Sequence, residues 1–290
     1  MRDLLYLGVD IGTYESKGVL TDSEGVIRGK AAVKHEMLIP RPGWAEHDPV
    51  DVWWGDFIRI TKSLLSQKDI VSKNIVSVAV SAIGPCMLPV DDKCNPLYSG
   101  VLYGVDTRAT EEINYLNYLI GKKNIFEFGG NALTSQSIGP KILWLKREHP
   151  DIFKKAHKIV TSTTYIVQKL TGMCVIDHYS AANFTPFYNK SKLNWSDSLA
   201  PNLIDIEKLP DLKWTTDIGG YISEVASKET GLPSGVPVTV GTIDAAAEAM
   251  SVGVQKPGHM MMMYGSTMFF IALTSENSSD EALWSSPWLF

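Results

Sequence analysis

Stapling and anchoring residues are scarce in this chain. Its 290 residues include only three cysteines, Cys86, Cys94 and Cys174. They are odd in number and form no Cys-x-x-Cys pair, which excludes a disulfide framework and a zinc site and points to a reducing compartment. No apolar run reaches the ~20 residues of a membrane span. The longest, Met260 to Leu273, is broken by Gly265, Ser266 and Thr267 and reads as core. Basic clusters are also missing, and the net charge of −5 argues against nucleic acid or an anionic membrane surface as partner. After Met1-Arg2-Asp3 the chain enters an apolar strand, leaving no room for a signal peptide, so a cytoplasmic protein is expected. On that expectation the Asn-x-Ser/Thr triplets at Asn183, Asn189, Asn194 and Asn277 are chance matches. There is no tandem repeat, no low-complexity segment, and no Gly-x-x-x-x-Gly-Lys-Ser/Thr phosphate loop.

Hydrophobic residues make up 44% of the chain and charged residues 20%, the balance of a globular protein with an ample core. The organising stretch is Leu4 to Asp22, an apolar strand, a tight Asp10-Ile11-Gly12-Thr13 turn and a returning strand. Asp10 ends a buried strand, where a lone carboxylate is costly unless it meets a cation or donors. Gly12 lets a ligand approach the backbone, while Thr13, Ser16 and Lys17 add two hydroxyls and a charge. A carboxylate for hydrated Mg²⁺ beside hydroxyl, ammonium and amide donors is the set a nucleotide's phosphates require. The same residues also suit a plain surface hairpin.

Further along, Gly25 to Val33 reads as a third strand of a meander. Asp48 is the expected N-cap of a helix with Pro49 at its first position, presenting Trp53, Phe57, Ile60 and Leu64 on one face. Strands are expected at Ile75 to Ser81, Cys86 to Val90 and Val236 to Val240. Tyr103-Gly104-Val105-Asp106-Thr107-Arg108 leads into an expected helix through about Leu119, stopped by Gly121, and further helices are expected over Lys141 to Arg147 and over about Ser162 to Leu170 before Gly172. Asp177 to Asp197 lacks periodicity and reads as irregular. Gly241 to Met250 reads as a glycine turn and a helix capped by Thr242, with Asp244 in its first turn. Met260 to Leu273 repeats the opening plan of strand, small-residue turn and strand, both strands reading as core.

Five segments in order give the chain a specific resemblance to the FGGY carbohydrate kinases. They are Val9-Asp10-Ile11-Gly12-Thr13 with Ser16-Lys17, Pro42-Gly43-Trp44-Ala45-Glu46-His47-Asp48-Pro49, Asp106-Thr107-Arg108, Gly241-Thr242-Ile243-Asp244-Ala245-Ala246, and Gly265-Ser266-Thr267. The second is the most specific. The resemblance implies an α/β fold of the ribonuclease H-like, actin/hexokinase-type ATPase class, a mixed sheet flanked by helices, with a second such domain incomplete. Residues 1–250 would form the sugar-binding domain and 251–290 the start of the ATP-binding domain.

The resemblance also implies roles. Asp244 becomes the general base, Asp10 the Mg²⁺ residue, and Gly12, Thr13 and Lys17 phosphate contacts, met from the second domain by Gly265, Ser266 and Thr267. The implied cofactors are ATP and Mg²⁺, and a homodimer is allowed. For the sugar, the contacts expected are Gly84, Pro85, Tyr103, Asp106 and Gln136, with Arg108 bracing the cleft by pairing with a carboxylate. The Met-His-Gly of xylulokinases and the Gln-Arg-Glu of glycerol kinases are both replaced by Ile83-Gly84-Pro85-Cys86. A family tryptophan is Gly104, and Gln136 falls where glycerol kinase has a substrate tyrosine, so the sugar itself does not carry over. The reading is ATP-dependent phosphorylation of a small sugar, sugar acid or polyol, weak in the 290-residue chain alone. The alternative is a non-catalytic sugar-binding remnant. An actin-like ATPase is disfavoured by the Gly-Trp-Ala-Glu-His-Asp-Pro loop.

Overall fold

The computed structural model describes residues 4–264, 268–276 and 280–290. Strands β1 (Leu5–Ile11), β2 (Glu15–Thr21) and β3 (Ile27–Lys34) form the expected antiparallel meander. Strand β4 (Ile75–Ala82) then lies parallel to β1. Beyond it come β5 (Ile218–Tyr221), antiparallel to β6 (Pro237–Thr239), which is itself parallel to β4. The order is β5-β6-β4-β1-β2-β3, and the short β7 (Thr242–Ile243) adds to the end of β4, also in parallel. The sheet is therefore mixed.

Helix α1 (Gly55–Leu65) covers β1–β3, and α2 (Ser162–Thr171) covers β4–β6. Asp48 caps as expected, accepting bonds from the Val50 and Asp51 amides, although the first turn, Pro49–Trp54, is wound as a π-helix. The face predicted from period 3.6 is all core: Trp53, Phe57, Ile60 and Leu64 are buried with Leu7, Val9 and Leu20 of the sheet. A second core gathers around Ile138–Glu148, whose Ile142 and Trp144 meet Phe184, Phe187 and Tyr188.

The sequence reading differs from the structure at three places. Asp177–Asp197, read as irregular, is partly regular: it holds a helical turn, His178–Ala181, and most of 177–188 is buried. Contacts such as that of His178 Nδ1 with the Tyr188 hydroxyl at 2.9 Å, and the bond that Thr215 donates to Asp177 at 2.9 Å, offset the burial of its polar groups without any periodic pattern. Thr242 does not cap a helix. It lies in β7, its hydroxyl donates to Asp177 Oδ2 at 2.8 Å, and helix α3 (Asp244–Ser251) starts without a side-chain cap. Strands β8 (Met260–Tyr264) and β9 (Met268–Ala272) pair as expected, yet only one face is core. Met261 packs with Val254 and Phe269, while Met260, Met262, Tyr264, Met268 and Phe270 are exposed. Among the described residues no helix is long and apolar enough to cross a membrane.

Candidate active site

The site is built on three adjoining strand ends. Asp10 of β1 and Thr242 of β7 are both in register with Ser81 of β4, on its two sides. Asp244 follows two residues later at the start of α3. Asp10 accepts a 2.7 Å hydrogen bond from Ser81 Oγ, and Lys17 stands opposite it on β2. Burial raises the Asp10 carboxyl above the ordinary range, although the Ser81 bond and the Lys17 charge oppose it. Burial also pushes the Asp244 carboxyl up to about 7, the negative charges of Asp10 and Glu248 adding to it. The Ala245 amide, donating to Asp244 Oδ1 at 2.8 Å, works the other way. The helix N-terminus alone would favour the ionised form, so here burial and like charge outweigh the dipole. Two carboxyls that repel across a shared space are poised either to hold a cation or to take up a proton at neutral pH.

Between β1 and β2, Gly12 opens the turn and its amide donates to Glu15 O at 3.2 Å. Two histidines hold the carbonyls that follow. His35 Nε2 lies 3.2 Å from Gly12 O, and His47 Nε2 3.0 Å from Thr13 O. Trp53 Nε1 only donates, so the 3.1 Å bond makes His47 Nδ1 an acceptor and places its proton on Nε2, toward Thr13. Burial, with His35 nearby, depresses His47 to about 4, keeping the ring neutral. Both nitrogens of His35 face acceptors, Gly12 O at 3.2 Å and Asp56 Oδ2 at 2.7 Å. Burial acts to raise the Asp56 carboxyl, but hydrogen bonds from His35, Ser16 and Arg59 outweigh it and hold it low. Ser16 thus serves Asp56 rather than a ligand, through a 2.7 Å bond. Neither histidine was singled out from the sequence, although His47 stands inside the Gly-Trp-Ala-Glu-His-Asp-Pro motif.

On the sugar side, Gly84 lies against the strand leading to Asp244. A Cβ there would sit 2.3 Å from Ile243 Cγ2, so glycine is what lets this turn close on β7. Pro85 is buried behind it. Tyr103 and Gln136 come together through Gly104, whose amide donates to Gln136 Oε1 at 3.0 Å. A side chain at 104 would meet Gln136 Cδ at 2.7 Å, so the small residue at 104 and the amide at 136 are linked choices. Asp106 is different. It is fully buried and accepts from the Ala45 amide at 2.7 Å and from Arg108 Nη2 at 2.7 Å, so its oxygens brace the loop. Arg108 also pairs with Glu46 at 2.9 Å and lies between the Trp44 and Trp144 rings, at 4.1 and 4.9 Å.

Lys141 escaped sequence reading because a lysine in an amphipathic helix normally faces water. It is 1% exposed, donates to the carbonyls of Leu102 and Tyr103, and burial lowers it to about 8. Gly265, Ser266 and Thr267 lie outside the described residues.

Asp10 carries a hard carboxylate with the Lys17 ammonium opposite it on β2, and Thr13 adds a hydroxyl in the turn between them; the chemistry of this set would fit a hydrated Mg²⁺ and a polyphosphate. Among the described residues no cluster of three or more His, Cys, Asp or Glu is arranged to hold a metal ion.

Comparison with known proteins bears on the same residues. Residues 5–251 match the N-terminal domain of the FGGY family of carbohydrate kinases. The xylulose kinase of Staphylococcus xylosus is 26% identical over 275 residues, 94% of this chain and 56% of that protein. The glycerol kinase of Thermococcus onnurineus is 27% identical over 294 residues, 99% and 58%. The chain therefore spans a little over half the length of these relatives. In fold it is similar to the xylulose kinase from Rhodospirillum rubrum, with a TM-score of 0.90, 24% identity, and 98% of this chain on 58% of that one. The gluconate kinase from Lactobacillus acidophilus gives a TM-score of 0.79 over 89% and 52%, at 23% identity. These neighbours are sugar kinases of the actin/hexokinase-like fold, and this chain shares that architecture.

Proposed function

As the chain belongs to the FGGY family of carbohydrate kinases, we propose that it provides the sugar-binding domain and the catalytic base of an enzyme that moves the terminal phosphoryl group of ATP to a hydroxyl of a small sugar, sugar acid or polyol. The single observation that carries the reading is the shared register of Asp10 and Thr242 on Ser81, which brings the strand leading to Asp244 close enough to β1 for the Asp10 charge to act on it. We assign residues 1–250 to the sugar-binding domain and 251–290 to the opening strands of the ATP-binding one, in a cytoplasmic protein.

Phosphoryl transfer leaves a protein mainly positioning and charge neutralisation. Asp244 accepts the proton of the attacking hydroxyl on a carboxylate oxygen, and its value of about 7 suits a base at neutral pH. Asp10 holds Mg²⁺ through water, while Thr13 and Lys17, with Gly12 giving close backbone approach, face the phosphates, as would Gly265, Ser266 and Thr267. When bound, Mg²⁺ neutralises charge on the transferring phosphate. Gly84, Pro85, Tyr103 and Gln136 line the sugar side, and Asp106 holds the loop that carries Tyr103. The pairing of Gly104 with Gln136 supports a substrate small and polar enough to meet an amide where a flat aromatic wall would otherwise stand.

The test is incubation with MgATP and a panel of xylulose, glycerol and gluconate, reading sugar phosphate by ³¹P NMR and sugar-dependent thermal stabilisation. Expected is stabilisation by at least one member and slow product formation that Asp244→Asn abolishes. Stabilisation without product from the wild type favours a binding remnant. Neither response to any member of the panel defeats the reading.

A further inference from the structure

Every carbonyl of the turn between β1 and β2 is tied down, and two of its amides are not. Gly12 O and Thr13 O meet the Nε2 atoms of His35 and His47, Tyr14 O accepts from the His35 amide at 3.0 Å, and Glu15 O accepts from the Gly12 amide at 3.2 Å. Among the described residues the N–H groups of Thr13 and Tyr14 have no partner, and both residues reach solvent. The two facts are one geometry. The Gly12 carbonyl and the Thr13 amide belong to the same planar trans peptide, as do the Thr13 carbonyl and the Tyr14 amide. Within such a unit C=O and N–H point in opposite directions, so a histidine that pulls the carbonyl inward turns the amide outward.

The rings that do the pulling are themselves fixed. His47 is fully buried with Trp53 on its far nitrogen, and the two histidine rings meet edge to face at 5.0 Å. Asp56, fully buried, holds His35 and is in turn held by Ser16 and by Arg59 Nη2 at 2.7 Å. We propose that His35 and His47 are positioning residues that aim the Thr13 and Tyr14 amides as a preformed cradle for the terminal phosphates of the nucleotide. This rests on the kinase reading and adds to it a reason for the Gly-Trp-Ala-Glu-His-Asp-Pro loop, which brings His47 beneath the turn. Two successive outward-facing backbone amides, on the turn into the strand that carries Lys17, can bind an anion without any helix dipole. Fixing them in advance removes the ordering cost from the binding step.

The test is an amide ¹H–¹⁵N titration of the ¹⁵N-labelled chain with magnesium tripolyphosphate. In the wild type the Thr13 and Tyr14 amides are expected to move most. His47→Phe keeps a buried ring but removes the donor, and is expected to weaken tripolyphosphate about tenfold and to abolish those two shifts. His47→Gln restores an N–H toward Thr13 O and is expected to stay within about threefold of wild type. A wild-type response centred elsewhere, or a folded His47→Phe that binds as the wild type does, overturns the clamp. Should His47→Phe not fold, Trp53→Phe decides: freeing the His47 tautomer is expected to cost about threefold, and unchanged binding overturns the proposal. Sugar-dependent stabilisation reads the other side of the site: its presence beside an unresponsive turn defeats the clamp alone, and its absence counts against the kinase reading.

Discussion

Asp10 and Thr242 stand on either side of Ser81 in one row across three strands, and Ser81 Oγ donates to Asp10 at 2.7 Å. The serine is thus the spacer that sets one carboxylate against the strand delivering the other. Among the described residues Ser81 makes the one side-chain hydrogen bond to Asp10, and Ser81→Ala removes it while leaving the sheet register unchanged. Since that bond favours the ionised form, its loss moves the Asp10 carboxyl further up. A hydrogen bond to a charged group is worth about 1.5–3 kcal/mol, so magnesium-dependent nucleotide binding should weaken roughly tenfold or more. Isothermal titration at several Mg²⁺ concentrations checks it, and an unchanged Mg²⁺ dependence would separate Asp10 from the metal.

Asp244 sets function against stability. Its carboxyl titrates near 7 in the fold and near 3.8 in the unfolded chain. Between those values the folded state binds the extra proton, so stability contributed here falls as pH rises from about 4 to 7. Asp244→Asn should therefore raise the thermal midpoint at pH 7.5 by several degrees and lose that advantage near pH 4. The same substitution should lower phosphoryl transfer about 10²–10⁴-fold, the range of a general base. Paired melting curves at the two pH values test the first half, and initial rates the second. A variant less stable than wild type at pH 7.5 would contradict the sign.

Much of this was legible because it is local. The β1–β2 hairpin, the Asp48 cap and the α1 core face follow from alternation, capping chemistry and the helical period; the cap and the core face stand where the pattern puts them, and the hairpin turn falls at 12–14, with Asp10 and Ile11 still paired in β1. What was not legible is pairing between distant residues. Thr242 has the composition of a cap, yet its hydroxyl finds the carboxylate of Asp177, and its carbonyl accepts from Thr163 at 2.9 Å. Lys141 looks like a surface lysine until the carbonyls of Leu102 and Tyr103 come over it. His35 carries no signal at all, since nothing in its neighbourhood of sequence shows that Asp56 and Gly12 flank it in space.

Arg108 offers a test of the loop that carries Tyr103. It joins Asp106 and Glu46, both nearly or fully buried, and fills the gap between two tryptophans. Arg108→Met keeps much of the volume but leaves two buried carboxylates without their cation, which typically costs about 3–5 kcal/mol. Denaturant unfolding should show a loss of that size. Asp106→Asn combined with Arg108→Met should recover part of it, because one of the stranded charges is then gone. Equal losses in the single and double variants would mean that packing against Trp44 and Trp144 matters more than charge.

His47 predicts the opposite pH slope to Asp244. Its ring titrates near 4 in the fold and near 6.5 when unfolded, so between these values it is the unfolded chain that binds the extra proton. Stability from this residue is complete above pH 6.5 and is lost as pH falls toward 4, by roughly 2–4 kcal/mol in all. Burial is the main cause, with the nearby His35 adding to it, and a second proton on Nδ1 would in addition face the Trp53 N–H, a donor against a donor. His47→Gln has no proton to gain and should flatten this part of the acid limb, leaving the variant more resistant than wild type below pH 5. Because Asp244 tilts the curve the other way, the cleanest measurement is made in an Asp244→Asn background, comparing urea midpoints at pH 4.5 and 7 with and without the second substitution. If the two curves run parallel, the neutral His47 tautomer and the carbonyl clamp built on it are both wrong.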